Sequence, residues 1–110
     1  MSSAPYANAD LSRDEVDTLT EPTVIEFGTN WCGYCRGAQP AIAMAMAGRG
    51  RVAHIKVEDG KGRRLGRSFA VKLWPTLIFM RDGRELARVV RPDDAQEILR
   101  ALALIDPPGV

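Results

Sequence analysis

Cysteine and histidine are scarce in this chain. Its 110 residues include two cysteines, Cys32 and Cys35, and one histidine, His54. A closed zinc site uses four ligands, commonly two pairs of cysteines or one pair with two histidines. A metal centre would need a carboxylate or a second chain to complete it, and we expect none. The pair is also a poor structural staple, because a bridge closing so small a ring removes little entropy from the unfolded chain.

Long hydrophobic runs are absent as well. No stretch approaches the roughly 18 apolar residues of a membrane-spanning helix, and residues 1–15 have neither the basic start nor the apolar centre of a signal peptide. We therefore expect a cytoplasmic protein that does not associate with membranes. Hydrophobic residues make up 45% of the chain, which is typical of a globular domain. One domain over 1–110 is predicted, with 1–10 poorly ordered or forming an edge segment and 105–110 a short tail.

Charge of either sign is not in marked excess, since the net charge is +1. Residues 49–67 nevertheless hold seven basic against two acidic side chains. Such a stretch could attract an acidic partner, but a solvated helix face is the more ordinary explanation. Aromatic residues are only 6% of the chain and do not interleave with these charges, so no nucleic-acid site is predicted.

The pattern of apolar, capping and turn-forming residues predicts an α/β domain. Ser12 with Glu15 forms a capping box that opens a helix, and an apolar β-branched run at 23–28 predicts a strand covered on both faces. Asp82-Gly83 between two β-rich runs predicts a hairpin over 76–90. The remaining elements are a helix from Cys32 to Gly48 kinked at Pro40, a strand over 51–58, a weaker helix within 62–71 and a helix over 93–105. This order implies a mixed central sheet of four to five strands flanked by helices on both faces.

The cysteines lie in the segment "GTNWCGYCRG", residues 28–37. A strand, a short loop and a helix beginning at Cys32 place that sulfur at the helix N-terminus, where free N–H groups and the helix dipole stabilise a thiolate. Cys35 follows one turn later, placed to attack a mixed disulfide. The pattern predicts a redox pair with an exposed nucleophile, Cys32, and a covered resolving thiol, Cys35.

"WCGYC" resembles the Trp-Cys-Gly-Pro-Cys signature of thioredoxins, and the likeness runs from about residue 23 to 104. It includes an acid six positions before the first cysteine, a proline inside the following helix, the segment "WPT" at 74–76 and the hairpin "RDGRE". The resemblance implies the thioredoxin fold and a thiol-disulfide oxidoreductase that acts on protein disulfides through a redox-active disulfide, with no cofactor or metal.

The resemblance also suggests what the acid and the histidine do. It implies that Glu26 is a buried carboxyl, and burial is expected to raise its pKa so that it takes the proton of Cys35. His54 aligns with a family lysine near that acid, so we expect it beside Glu26, helping to move the proton. A histidine at a strand end, satisfied by the backbone, is the alternative.

The remaining site residues follow from the same likeness. Pro75 is expected to be cis and to pack against the disulfide, with tryptophans on either side of the reactive sulfur. The residues expected to bind substrate are Trp31, Gly33, Tyr34, Trp74 and Pro75. Val90 stands where the family has a glycine and is expected to narrow the substrate groove.

Tyr34 departs from the family's proline between the cysteines. Its backbone N–H can point at the Cys32 thiolate, which would make the couple more oxidising than an ordinary thioredoxin. The direction of exchange stays open from the sequence, and the alternatives to a general oxidoreductase of protein disulfides are glutathione-coupled exchange, isomerase-like exchange and a non-catalytic binding module. The expected partners are protein disulfides and a reductase or glutathione as electron donor, and nothing in the sequence requires a dimer.

Overall fold

The described part of the chain forms eight helices and strands, in the order that the sequence predicts. The computed structural model describes residues 5–7 and 11–107. The elements are α1 (Arg13–Asp17), β1 (Thr23–Gly28), α2 (Gly33–Met46), β2 (Ala53–Glu58), α3 (Arg64–Ser68), β3 (Thr76–Arg81), β4 (Arg84–Val90) and α4 (Ala95–Ile105). Among the residues described, no helix is both long and apolar enough to cross a bilayer.

The strands form one mixed sheet in the order β2-β1-β3-β4. Strand β1 runs parallel to β2 and antiparallel to β3, and β4 pairs antiparallel with β3 at the outer edge. All six residues of β1 are buried, as expected for a central strand covered on both faces. The mixed four-stranded sheet flanked by helices confirms the predicted fold class.

Among the described N-terminal residues, Ala7 lies at the outer edge of β2. Ala7 forms an isolated parallel bridge to Val57, with its N–H donating to the carbonyl of Lys56 at 3.3 Å. Residues 1–4 and 8–10 of the predicted edge or poorly ordered segment lie outside the described residues, as do 108–110 of the predicted tail.

The β3–β4 hairpin closes through the predicted Asp82-Gly83 turn. Asp82 has φ of 52° and Gly83 φ of 74°, the pair of positive values that a two-residue turn of this hand requires. A Cβ at Gly83 would lie 2.1 Å from the backbone oxygen of Asp17. Glycine is therefore needed here both for the backbone conformation and for the close approach of α1.

Two apolar layers fill the space on either side of the sheet, because successive strand residues point to opposite faces. Leu77 and Ile78 are neighbours on β3 and belong to different layers. One layer, under α2 and α4, is centred on Val24, Ile42, Leu77, Phe79, Ile98 and Leu102. The other, under α1 and α3, is centred on Val16, Ile25, Phe27, Leu65, Phe69 and Ile78.

Candidate active site

The two cysteines lie where β1 delivers the chain to α2. Cys32 is the N-cap residue of α2, and its sulfur accepts a hydrogen bond from the backbone N–H of Cys35 at 3.3 Å. This satisfies one of the N–H groups that a helix start leaves unpaired. Both cysteines are free thiols.

Neither sulfur-bearing residue is widely open to solvent. Cys32 is 8% exposed and Cys35 is fully buried. The expected order of accessibility therefore holds, but the expectation of an exposed nucleophile is wrong in degree. The reason is a cover that packs against the pair, formed by Tyr6 and Trp74.

Burial makes Cys35 a reluctant acid. Burial is the largest influence on the Cys35 thiol and raises its pKa to about 11. The neighbouring Cys32 also raises this pKa. The backbone of Thr29 and the hydroxyl of Tyr6 oppose that rise. The hydroxyl of Thr29 is itself buried and has no hydrogen-bond partner among the residues that the structure describes. Cys35 therefore needs a nearby base if it is to act as a nucleophile at neutral pH.

Glu26 is a candidate base, and its side chain is fully buried on β1. Its Oε1 lies 2.8 Å from Nε2 of His54, and its Oε2 accepts from Nε2 of Gln39 at 2.9 Å. The hydroxyl of Tyr6 also donates to Oε2, and Nζ of Lys56 lies 3.9 Å away. A buried carboxylate is tolerated when it is paired and hydrogen-bonded in this way.

These donors reverse the expected titration of Glu26. Burial is the largest single influence and would raise its pKa, but the hydrogen bonds from His54, Gln39 and Tyr6, with the charge of Lys56, together lower it. The expectation of a raised pKa is therefore wrong in direction. That expectation rests on burial alone, whereas several hydrogen-bond donors stabilise the ionised carboxylate in the folded protein.

His54 lies against Glu26, as predicted from the sequence. It projects from the edge strand β2, and its side chain is 25% exposed while that of Glu26 is not exposed at all. The imidazole therefore connects the buried carboxylate with solvent. The alternative of a histidine satisfied by the backbone does not describe this contact.

Tyr6 and Gln39 are members of this cluster that sequence reasoning missed. Tyr6 is 6% exposed and packs against both cysteines. Asn30 holds its backbone, accepting from its N–H at 2.8 Å and donating to its carbonyl at 3.1 Å. Apart from Asn30, which precedes the cysteine motif, no sequence signal marks this tyrosine.

The two tryptophans meet in front of the cysteines. Their rings are arranged edge to face, with centroids 5.8 Å apart and planes at 82°. Trp31 is 73% exposed, whereas Trp74 is half-buried and its indole N–H donates to Oδ2 of Asp59 at 2.8 Å. The Trp74–Pro75 peptide is cis. Trp31, rather than Trp74, therefore offers the larger free apolar surface.

A groove of about 740 Å³ opens beside α2, lined by Gly33, Tyr34 and Arg91 among others. The guanidinium carbon of Arg91 lies 3.7 Å from the centroid of the Tyr34 ring. Arg91 also donates through Nε to the carbonyl of Trp74 at 2.8 Å. Val90, the residue before it, is 42% exposed at the end of β4.

The backbone N–H of Tyr34 is expected from the sequence to point at the Cys32 sulfur, and the structure shows a different donor. Among the described residues, the backbone donor to the Cys32 sulfur is the N–H of Cys35, which a proline at position 34 would leave in place. The side chain of Tyr34 makes the distinctive contact instead, through its stacking with Arg91. The N–H of Tyr34 therefore gives no reason to expect a more oxidising couple.

The fold and the site together define a class: an α/β domain that presents a Cys-x-x-Cys dithiol at a helix N-terminus, with a buried acid behind it and a cis X–Pro peptide. The thioredoxin family model matches residues 6–103 of this chain. The chain belongs to the thioredoxin family.

Individual relatives agree with this assignment. The chain is 36% identical over 81 residues to thioredoxin H2-1 of Oryza sativa subsp. japonica, covering 73% of this chain and 58% of the relative. It is 30% identical over 87 residues to a thioredoxin of Mycolicibacterium smegmatis, covering 76% and 78%. The matched region thus spans little more than half the length of the rice relative.

A solved structure gives a fuller match. Thioredoxin 2 from Pseudomonas aeruginosa PAO1, in its reduced form, superposes with a TM-score of 0.84 at 53% identity, covering 94% of this chain and 96% of that one. In the part of this chain that the structure describes, no group of three or more His, Cys, Asp or Glu side chains could hold a metal ion.

Proposed function

We propose that this protein is a thiol-disulfide oxidoreductase that reduces disulfides of other proteins through Cys32 and Cys35. The observation that carries the proposal is the position of the two sulfurs: Cys32 caps the start of α2 and is the more accessible, while Cys35 lies beneath it, fully buried. This arrangement suits one nucleophile and one resolving thiol.

The reaction has two exchange steps. The Cys32 thiolate attacks a client disulfide, which forms a mixed disulfide and releases the first client sulfur as a thiolate. Cys35 then loses its proton and attacks the sulfur of Cys32, so that the bond to the client breaks and the second client sulfur leaves with the electron pair. The client gains two electrons, and the protein is left with a Cys32–Cys35 disulfide.

Glu26 is the proposed acceptor of the Cys35 proton, and His54 the proposed route from Glu26 to solvent. The lowered pKa of Glu26 means that its carboxylate is ionised at neutral pH. Support for the transfer comes from position, because Glu26 contacts Tyr6, which packs against Cys35. The 2.8 Å contact with His54, which is partly exposed, gives the proton an exit.

The client is proposed to bind across the surface around the reactive sulfur. Trp31 supplies exposed apolar area, and aromatic side chains of this kind dominate many recognition surfaces. Gly33 and Tyr34 line the adjoining groove. Trp74, which packs against the cysteines, and Pro75 are proposed to contact the client beside the reactive sulfur. Tyr34 is proposed to contact the client together with the arginine stacked on its ring.

A donor must return the oxidised protein to the dithiol. We propose a protein reductase, with glutathione as the alternative, and a monomer in the cytoplasm, where thiols are kept reduced. The two donors are distinguished by supplying either thioredoxin reductase, or glutathione with glutathione reductase, and measuring turnover with each.

Insulin reduction tests the proposal, with wild type compared with Cys32→Ser and Cys35→Ser. We expect wild type to be active and both variants to be inert. Only Cys35→Ser should accumulate a mixed disulfide with insulin, visible as a mass increase that dithiothreitol removes. Inactive wild type, with no adduct on Cys35→Ser, would instead favour a binding module that presents Trp31 to a partner.

A further inference from the structure

Tyr6 occupies the space between the resolving thiol and the buried carboxylate. Its hydroxyl donates to Oε2 of Glu26, and its ring packs against Cys35. A Cβ at Gly28 would lie 2.6 Å from Sγ of Cys35 and 2.8 Å from Cζ of Tyr6. The absence of a side chain at Gly28 therefore leaves the room in which the thiol and the phenol come together.

We propose that Tyr6 relays the proton of Cys35 to Glu26 during the second exchange step. This rests on the function proposed above and adds a residue to it. The S–H proton of Cys35 passes to Oη of Tyr6 while the hydroxyl proton of Tyr6 passes to Oε2 of Glu26. Tyr6 ends with the same number of protons, Glu26 holds one more, and the Cys35 thiolate attacks the sulfur of Cys32.

The contacts of Glu26 single out Tyr6 for this task. The oxygen Oε1 faces His54, and Oε2 is shared by Tyr6 and Gln39. Gln39 also reaches Cys35, but only its backbone carbonyl, through an amide N–H at 2.8 Å. A hydroxyl both accepts and donates a proton, whereas an amide N–H only donates.

The surroundings of Tyr6 keep it a relay and not a base. Burial, followed by the neighbouring Glu26, raises the pKa of Tyr6 far above its ordinary value of 10.0. The other charged or titratable groups that face it are Lys56 of β2, with Nζ 4.6 Å from the ring centroid, and the two cysteines at the start of α2. A phenol in this setting stays protonated between turnovers.

The segment that carries Tyr6 is fixed on both sides. Asn30 makes two hydrogen bonds with the backbone of Tyr6, and the next residue, Ala7, receives a 2.8 Å hydrogen bond from the N–H of Glu58 through its carbonyl. The hydroxyl is therefore held in place before a client arrives, as a positioned proton carrier must be.

The test is Tyr6→Phe, which keeps the ring and removes the hydroxyl. The rate of the second step is followed between pH 6 and 9 by rapid mixing with a disulfide substrate, using the change in tryptophan emission. We expect the variant to be at least about tenfold slower at pH 7, with the deficit shrinking as pH rises, because solvent base then replaces the relay. The control is Ser68→Ala, which removes a hydroxyl from α3 and should match wild type.

The second measurement uses unaltered protein. Rates in mixtures of light and heavy water should fall on a curve, because two protons move together in a relay. A straight line, or a Tyr6→Phe deficit that is the same at every pH, overturns the relay.

Glu26→Gln separates this inference from the function on which it rests. A slow Glu26→Gln beside a normal Tyr6→Phe means that the carboxylate takes the proton without Tyr6, and the oxidoreductase stands. Insulin reduction that survives Cys32→Ser would instead remove the proposed function itself.

Discussion

Glu26 is a carboxylate placed inside a sheet and kept ionised there by its neighbours. Desolvation opposes the charge, but His54, Gln39 and Tyr6 donate to it and Lys56 adds a positive charge. The register explains two of these partners, because Glu26 pairs with Lys56 and Val24 with His54 across β1 and β2. Alternation puts His54 and Lys56 on the same face of the sheet as Glu26. Such a group links folding to pH.

The stability of the protein should therefore depend on the protonation of Glu26. The pKa of this carboxyl is lower in the folded protein than in the unfolded chain, where it is near 4.5. The stability it contributes is therefore present at pH values above the unfolded pKa and is lost as pH falls through the folded pKa. Urea unfolding of wild type and Glu26→Gln between pH 5.5 and 3 measures this. We expect the advantage of wild type in unfolding free energy to shrink as pH falls. An advantage that grows would mean that burial dominates and that the pKa is raised after all.

At the scale of elements, the end of β1 and the start of α2 place the whole site. Residues 24, 26 and 28 point to the α2 side of the sheet by alternation, so the acid and the glycine both face that helix. Gly28 then allows Cys35 and Tyr6 to approach the strand closely. The geometry of the dithiol depends on this one position without a side chain.

Gly28→Ala should consequently destabilise the protein, and Gly37→Ala should not. The new methyl at position 28 would fall within 3 Å of Cys35 and Tyr6, and overpacking of this kind costs about 1–3 kcal/mol. At Gly37, inside α2, a Cβ meets nothing within 4 Å, and alanine should stabilise the helix by about 0.5–1 kcal/mol. Denaturant unfolding of both reduced variants checks this. Equal effects of the same sign would show that position 28 is not tightly packed.

The elements differ in how far the sequence could predict them. Strand β1, the hairpin and α4 follow from local patterns: a continuous apolar run, an Asp-Gly turn, and a stripe in which Ile98 and Leu102 are fully buried. In the site, the spacing of the cysteines and the neighbourhood of Glu26 and His54 could also be predicted. Tyr6 could not, because it contacts an acid 20 residues away from a segment with no periodicity. The sign of the Glu26 pKa depended on such contacts.

The whole molecule has two apolar layers that share a single sheet. Both layers depend on β1 and β3, because successive residues of these strands belong alternately to one layer and to the other. The site lies at the margin of this structure, on the α2 side, and Tyr6 covers its polar cluster. Since every helix packs on the same sheet, loss of either layer should remove the support of the other.

Leu77→Ala and Ile78→Ala test this dependence, because the two residues are neighbours on β3, fully buried, and in opposite layers. Each truncation should cost about 2–5 kcal/mol in unfolding free energy. Urea transitions followed by far-ultraviolet circular dichroism and by tryptophan fluorescence should coincide in both variants, as in a two-state domain. Ile78→Ala is the sharper case, since both tryptophans lie at the site while the deleted methyl groups lie on the α1 and α3 side. If its fluorescence transition stays at the wild-type midpoint while the dichroism shifts, the two layers unfold separately.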